Sequence, residues 1–146
     1  MKIRALIVDD EPLARQRVRL LLGEEPDVEV IGESEDGFEA VDQIQATKPD
    51  LIFLDVLMPG IDGFTTCKRM RETGLNRGTP VVFVTSHDDT EARSQAADSG
   101  GCGFIPKPVL ASQITLTALT FILRARLNEY APATATEETA CLEEMA

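Results

Sequence analysis

The sequence predicts an α/β fold, a doubly wound parallel sheet of five strands with five helices. Short apolar runs alternate five times with longer segments of helical periodicity. Strands that are apolar along their whole length are typical of a parallel sheet, because helices cover both of its faces. The length of 146 residues suits one domain, and an apolar fraction of 43% is enough to form its core.

The first half of the chain alternates strand, helix, strand, helix, strand. Pro12 suits the first turn of a helix, and Gly23 ends the same helix. This helix is predicted to line one face with Leu13, Val18, Leu21 and Leu22. The five elements are predicted at Ala5–Val8, Pro12–Leu22, Val28–Ile31, Phe38–Gln45 and Leu51–Leu54.

The second half repeats the alternation, with turn residues between its elements. Asp62-Gly63 marks the loop before the third helix, and Gly100-Gly101 ends the fourth. The fourth helix is polar, which suits a mobile element because it buries few contacts. The elements are predicted at Phe64–Arg71, Val81–Val84, Thr90–Ser99, Gly103–Ile105 and Ile114–Leu127.

The composition narrows the classes of function. Lys plus Arg is 14 and Asp plus Glu is 25, a formal net charge of −11, which disfavours direct nucleic-acid binding and favours attraction of a divalent cation. The first apolar run stops at Asp9, so it is no signal peptide, and no stretch reaches the ~20 apolar residues of a membrane span. Three separated cysteines favour reduced thiols in a cytoplasmic protein.

Residues 1–127 are predicted to form the domain. Residues 128–146, which are rich in Ala, Thr and Glu, are predicted to form a flexible C-terminal tail or the start of a linker.

Hydrophilic residues follow four of the five predicted strands. In open parallel sheets, ligands bind at the carboxyl ends of the strands, so these side chains are expected at one edge. Three converging carboxylates repel one another unless a cation neutralises them, and Mg²⁺ fits best because it prefers oxygen ligands and bridges to phosphates. With an ammonium and a hydroxyl, the set indicates a phosphoryl site around one carboxylate nucleophile. Its members are Asp9, Asp10, Asp55, Thr85 and Lys107.

Each of these residues also has an ordinary structural interpretation when taken alone. Asp10 suits a helix N-cap, and Thr85 suits a β-strand. Lys107 suits a solvated surface. The coincidence of all of them at strand ends is what favours the site.

The sequence resembles the receiver domain of two-component response regulators, over roughly Lys2 to Leu127. The motifs that carry the resemblance are Leu6-Ile7-Val8-Asp9-Asp10-Glu11-Pro12, Leu54-Asp55 with Met58-Pro59 and Gly63, Val84-Thr85-Ser86, and Phe104 with Lys107-Pro108. It implies a flavodoxin-like sheet of strand order 2-1-3-4-5 and a phosphoacceptor that works by binding partners, not as an enzyme.

The resemblance also implies a role for each matching residue. Asp55 would take the phosphoryl group from the phosphohistidine of a histidine kinase or phosphotransfer protein. Lys107 would contact a phosphoryl oxygen, Thr85 would move toward the phosphoryl group, and Phe104 would turn inward with it as the switch. The Mg²⁺ ligands would be Asp10 directly, Asp9 mostly through water, Asp55, and the backbone carbonyl of Leu57.

The family further implies that phosphorylation shifts the face of the fourth helix, fifth strand and fifth helix, which acts on a downstream protein or output domain. A phosphorylation-linked homodimer through that face and a cis Lys107-Pro108 bond are two further expectations. Three alternatives remain: a phosphohydrolase similar to the haloacid dehalogenases, an interaction domain that works without phosphorylation, and a transcription factor whose DNA-binding part is absent. Pro12 in the first motif and the lack of a cap insertion disfavour the phosphohydrolase.

Overall fold

A computed structural model describes residues 2–72, 78–86 and 89–128, so the predicted tail lies outside the described residues from position 129 onward. The strands are β1 (Ile3–Val8), β2 (Val28–Ser34), β3 (Leu51–Leu54), β4 (Val81–Thr85) and β5 (Gly103–Pro106). The helices are α1 (Pro12–Leu22), α2 (Gly37–Thr47), α3 (Gly63–Glu72), α4 (Thr90–Asp98) and α5 (Ala111–Asn128).

The strands pair in parallel in the order β2-β1-β3-β4-β5, which confirms the predicted doubly wound sheet. The chain starts in the middle of the sheet, moves to one edge at β2, and returns past β1 to β3. The strand order therefore reverses between β1 and β3, and their carboxyl ends form the crevice where ligands bind in such sheets.

Two apolar layers cover the two faces of the sheet. One contains buried residues of α1 and α5, and the other contains buried residues of α2, α3 and α4. Within β1, Ala5 and Ile7 belong to the first layer and Leu6 and Val8 to the second, because successive side chains of a strand point to opposite faces. No helix among the described residues is long and apolar enough to cross a bilayer.

Two predictions about side chains are wrong. Leu13 is 79% exposed, because it precedes the buried Val18 by five residues and so points about 140° away from it around α1. Cys67 is a free buried thiol as predicted, but Cys102 is in a disulfide and not reduced.

The start of α1 tests whether Asp10 is a helix N-cap. The N-cap residue of α1 is Glu11, whose side chain makes no capping hydrogen bond, and Pro12 begins the helix. The helix-capping alternative for Asp10 is therefore wrong. By contrast, α2 and α4 have aspartate caps: Asp36 accepts from the Glu39 N–H, and Asp89 accepts from the Ala92 N–H.

Candidate functional site

The sheet brings the predicted residues to one edge. Asp9 follows β1, Asp55 follows β3, Thr85 ends β4, and Lys107 follows β5. Backbone hydrogen bonds continue between neighbouring strands up to this edge: the Asp55 N–H donates to the Val8 carbonyl at 2.8 Å, and the Lys107 N–H to the Thr85 carbonyl at 2.8 Å. The positions of the four side chains are thus set by the register of the parallel sheet.

Lys107 brings a positive charge to this edge. Its Nζ lies 2.8 Å from Oδ2 of Asp9, 3.4 Å from Oε1 of Glu11 and 3.6 Å from Oδ2 of Asp55. Asp9 and Asp55 are both buried, and the Lys107 side chain is only 15% exposed. The lysine therefore joins the acidic residues after β1 to the carboxylate after β3. The Lys107-Pro108 peptide bond is cis, as predicted.

Four carboxylates gather beside this lysine. Oxygens of Asp9, Asp10, Glu11 and Asp55 all lie within 4.8 Å of one another. Asp9 and Asp55 are buried, whereas Asp10 and Glu11 are exposed. Oxygen ligands at this spacing, partly open to solvent, suit a hard divalent cation.

The pKa values show how strongly these charges interact. The pKa of Asp55 is raised from 3.8 to about 7, chiefly by burial and then by the negative charge of Asp9, while Lys107 and the Val56 N–H act in the opposite direction. Burial acts to lower the pKa of Lys107, but its hydrogen bond to Asp9 and the surrounding carboxylates outweigh that effect and raise it. The edge holds more negative charge than one lysine offsets, so its residues fit a bound cation.

The two oxygens of Asp55 have different surroundings. Oδ1 accepts a hydrogen bond from the Val56 N–H at 2.9 Å, and Oδ2 lies on the side of Lys107. Asp9 is held in a similar way, because its Oδ1 accepts from the Glu11 N–H at 2.9 Å. Leu57, two residues beyond Asp55, has a 55% exposed side chain, and its carbonyl as a ligand stays a prediction.

Thr85 and Phe104 lie on the paired strands β4 and β5. Thr85 is fully buried at the end of β4. Phe104 in β5 is half-buried against the apolar layer of α2, α3 and α4. The guanidinium of Arg93 in α4 lies 4.8 Å from the Phe104 ring centroid, a distance typical of a cation–π contact.

Gly63 holds the loop that carries Asp55. Its N–H donates to the Val56 carbonyl at 2.7 Å, which brings the start of α3 against the end of β3. A Cβ atom at this position would overlap the Asp55 carbonyl oxygen and lie 3.0 Å from the Val56 Cα. The Asp62-Gly63 pair predicted this loop, but only the structure shows that the glycine is required for close approach.

Arg15 is a site residue that the sequence analysis missed. Its Nη1 donates to the Asp9 carbonyl at 2.6 Å, and its side chain is 12% exposed. The signal available in the sequence was its position six residues after Asp9, which places it in the second turn of α1.

The sheet order and the crevice at its edge define a doubly wound domain of the flavodoxin-like class. The response regulator receiver domain family matches residues 5–119, and the chain belongs to this family. Receiver domains accept phosphoryl groups, bind Mg²⁺ at an acidic pocket, and act with histidine kinases and output domains in two-component signalling.

Known proteins with similar sequences are longer than this chain. The chain is 41% identical over 109 residues to a protein-glutamate methylesterase/protein-glutamine glutaminase of Alkalilimnicola ehrlichii, covering 73% of this chain and 27% of that protein. It is 34% identical over 141 residues to the response regulator MprA of Mycobacterium tuberculosis, covering 96% of this chain and 57% of MprA. The chain thus spans less than two thirds of the length of these curated relatives.

A solved structure gives the same fold. The signal receiver domain of the response regulator NarL of Mycobacterium tuberculosis matches with a TM-score of 0.76 and 34% sequence identity, covering 82% of this chain and 94% of that one. This similarity extends over nearly the whole of that receiver domain.

Proposed function

We propose that this receiver domain takes a phosphoryl group on Asp55 from the phosphohistidine of a histidine kinase or a histidine phosphotransfer protein. The observation that carries the proposal is the position of Asp55: a buried carboxylate 3.6 Å from the Lys107 ammonium and within 4.8 Å of the acidic pair after β1. A nucleophile, a cation and a set of oxygen ligands are all present around one carboxylate.

The reaction follows from the environment of Asp55. Since Oδ1 accepts from the Val56 N–H, Oδ2 is the oxygen that attacks phosphorus. The phosphorus–nitrogen bond to the donor imidazole breaks, the imidazole keeps the electron pair and takes a proton from solvent, and an acyl phosphate forms on Asp55. Lys107 offsets the charge on the phosphoryl oxygens that would otherwise repel the carboxylate.

The acidic residues supply the metal site. Asp10, Asp55 and the Leu57 carbonyl would hold Mg²⁺, with Asp9 acting mostly through water. When bound, the ion neutralises charge on the phosphoryl oxygens. Asp10 is exposed beside the buried Asp55, so this side of the site would be accessible to a cation from solvent.

The new charge is read out through the adjoining face. An acyl phosphate adds roughly −1.5 to −2 charge at one point. Thr85 moves toward it and Phe104 turns further inward. The surface formed by α4, β5 and α5 exists in two conformations, and phosphorylation shifts the equilibrium between them. That surface controls a partner protein or an output domain, or forms a phosphorylation-linked homodimer.

The chain acts as a signalling module and not as an enzyme on a diffusible substrate, although it promotes its own phosphorylation and dephosphorylation. Residues 1–127 form the receiver, and 128–146 serve as a tail or the start of a linker. Its place is the cytoplasm, where histidine kinases present their phosphohistidines. A surface of net charge −11 disfavours direct binding of this chain to nucleic acid.

Backbone NMR tests the switch. Addition of acetyl phosphate and Mg²⁺ to ¹⁵N-labelled protein should shift amide resonances of α4, β5 and α5 as well as those around Asp55. The Asp55→Asn variant should show only the shifts that Mg²⁺ alone produces. Wild-type shifts confined to the residues around Asp55 would contradict the proposed readout.

A further inference from the structure

Arg15 makes a hydrogen bond to the peptide that joins the two aspartates after β1. Its Nη1 donates at 2.6 Å to the carbonyl oxygen of Asp9. That carbonyl belongs to the peptide group between Asp9 and Asp10, from which the two carboxylates project on either side. This planar peptide fixes the relative positions of the two Cα atoms that carry the carboxylates, so a bond that holds the peptide constrains both side chains.

Two carboxylates at the end of the neighbouring strand β2, one among its last paired residues and one just after it, hold the guanidinium in place. Nε of Arg15 lies 3.3 Å from Oε1 of Glu33, and Nη2 lies 3.7 Å from Oε1 of Glu35. The Glu33 backbone carbonyl accepts in turn from Nε2 of Gln43 in α2 at 3.1 Å. Because the guanidinium is planar and presents its donors in a fixed fork, contacts on one side orient the N–H that points to the Asp9 carbonyl.

The other polar groups of Asp9 already have partners. Its N–H donates to the Ser34 carbonyl at 3.1 Å, while its carboxylate accepts from the Glu11 N–H and the Lys107 ammonium. Arg15 adds a positive charge beside the acidic residues and binds a carbonyl, so its bond occupies no carboxylate oxygen.

We infer that Arg15 is a positioning residue for the metal site: held by Glu33 and Glu35, it fixes the Asp9–Asp10 peptide so that both carboxylates face the same cation. This inference rests on the proposed function, because it concerns the Mg²⁺ that the phosphoryl reaction uses. It adds α1 and the end of β2 to the structure that supports the site. Groups that orient metal ligands in this way typically change metal affinity by 10–100-fold when they are removed.

Arg19 provides a matched control. Its Nη1 lies 2.8 Å from Oε2 of Glu33, so it shares a carboxylate with Arg15. Within the part of the chain that the structure describes, its side chain pairs with that carboxylate and does not bond to the Asp9 carbonyl. Arg19→Ala therefore removes an arginine from α1 and a partner from Glu33 without removing the bond to the acidic pair.

The test is a calorimetric titration of the full, unphosphorylated chain with MgCl₂. Arg15→Ala should weaken Mg²⁺ binding by about tenfold or more, and Arg15→Lys, which keeps the charge but loses the fork, by about threefold or more. Arg19→Ala should stay within about twofold of wild type. Thermal unfolding in EDTA, measured on the same samples, reports fold stability separately from metal affinity.

Wild-type affinity in folded Arg15→Ala would overturn the inference, as would an equal loss in Arg19→Ala. If Arg15→Ala does not fold, wild-type affinity in Arg15→Lys would overturn it instead. All three of these results leave the proposed function intact as long as the wild type binds Mg²⁺ and takes up a phosphoryl group. A wild type that does neither would overturn the proposed function, and the inference with it.

Discussion

The Lys107 ammonium lies closer to Asp9 than to the proposed acceptor, at 2.8 Å from Asp9 Oδ2 against 3.6 Å from Asp55 Oδ2. The lysine thus offsets the charge of Asp9 more strongly than that of Asp55. Its removal should therefore affect both carboxylates, and the effect on Asp55 can be measured directly.

Loss of Lys107 should raise the pKa of Asp55 above its present value of about 7, because Lys107 is a charge that lowers it. For Lys107→Met in EDTA we expect a rise of about one pH unit, followed through the ¹³C shift of the Asp55 carboxyl carbon. Lys68→Met, at an exposed position on α3, serves as the control and should leave this pKa unchanged. An unchanged pKa of Asp55 in Lys107→Met would show that the ammonium 3.6 Å away does not lower this pKa.

The raised pKa of Asp55 also makes a prediction about stability. The folded protein keeps a proton on this carboxyl between its ordinary value of 3.8 and about 7, whereas the unfolded chain has lost it. The contribution of this group to the free energy of unfolding is therefore present in full below pH 3.8. It is lost as the pH rises through about 7, with a slope of at most about 1.4 kcal/mol per pH unit. Urea unfolding in EDTA from pH 4 to 8 measures it.

The matched variant is Asp55→Asn, whose side chain does not titrate. Its free energy of unfolding should lack this loss, so it should become more stable than wild type above pH 7. Other carboxyl groups titrate in both proteins, and the difference between the two curves isolates Asp55. Parallel curves over the whole range would mean that burial does not raise this pKa.

Gly63→Ala should destabilise the fold by about 2 kcal/mol or more, because the new Cβ would overlap backbone atoms of Asp55 that cannot move aside. Gly78→Ala is the control, since a Cβ at that position meets nothing within 4 Å. Urea unfolding gives both values. Similar stabilities for the two variants would contradict the close approach between the start of α3 and the end of β3.

Thr85 is expected to transmit the phosphoryl signal and not to accept it. Thr85→Ala should still gain the phosphoryl group, since Asp55 and Lys107 remain in place, but the amide shifts of α4 and β5 on phosphorylation should be largely lost. Thr115→Ala, at an exposed position on α5, is the control and should respond like wild type. A full response in Thr85→Ala would assign the switch to another residue.

The sequence was enough to predict the sheet, because buried parallel strands must be apolar throughout. It was also enough to predict most of the residues at the carboxyl ends of the strands. β3 was predicted with its observed bounds, Leu51–Leu54. β2 was predicted to end at Ile31 but runs to Ser34, because it is an edge strand. Gly32, Glu33 and Ser34 pair with β1 through their backbones, which requires no apolar side chain.

The helix starts and the supporting contacts were harder to predict. α5 was predicted to begin at Ile114 but begins at Ala111. Apolar periodicity did not reveal its polar first turn, in which Oε1 of Gln113 accepts from the Leu110 N–H. The contact between Arg15 and Glu33 joins residues on different elements, and helical periodicity carries no information about such pairs. Patterns within one element thus predicted the residues at the strand ends, but not the residues that hold them.

The central claim is that Asp55 accepts the phosphoryl group with the help of the acidic residues beside it. Its most direct test is the intact mass of the protein after incubation with acetyl phosphate and Mg²⁺. We expect one adduct of about 80 Da, a single phosphoryl group, on the wild type, and none on Asp55→Asn or in the presence of EDTA. A folded wild type without the adduct, or an adduct that persists in Asp55→Asn, would contradict the account.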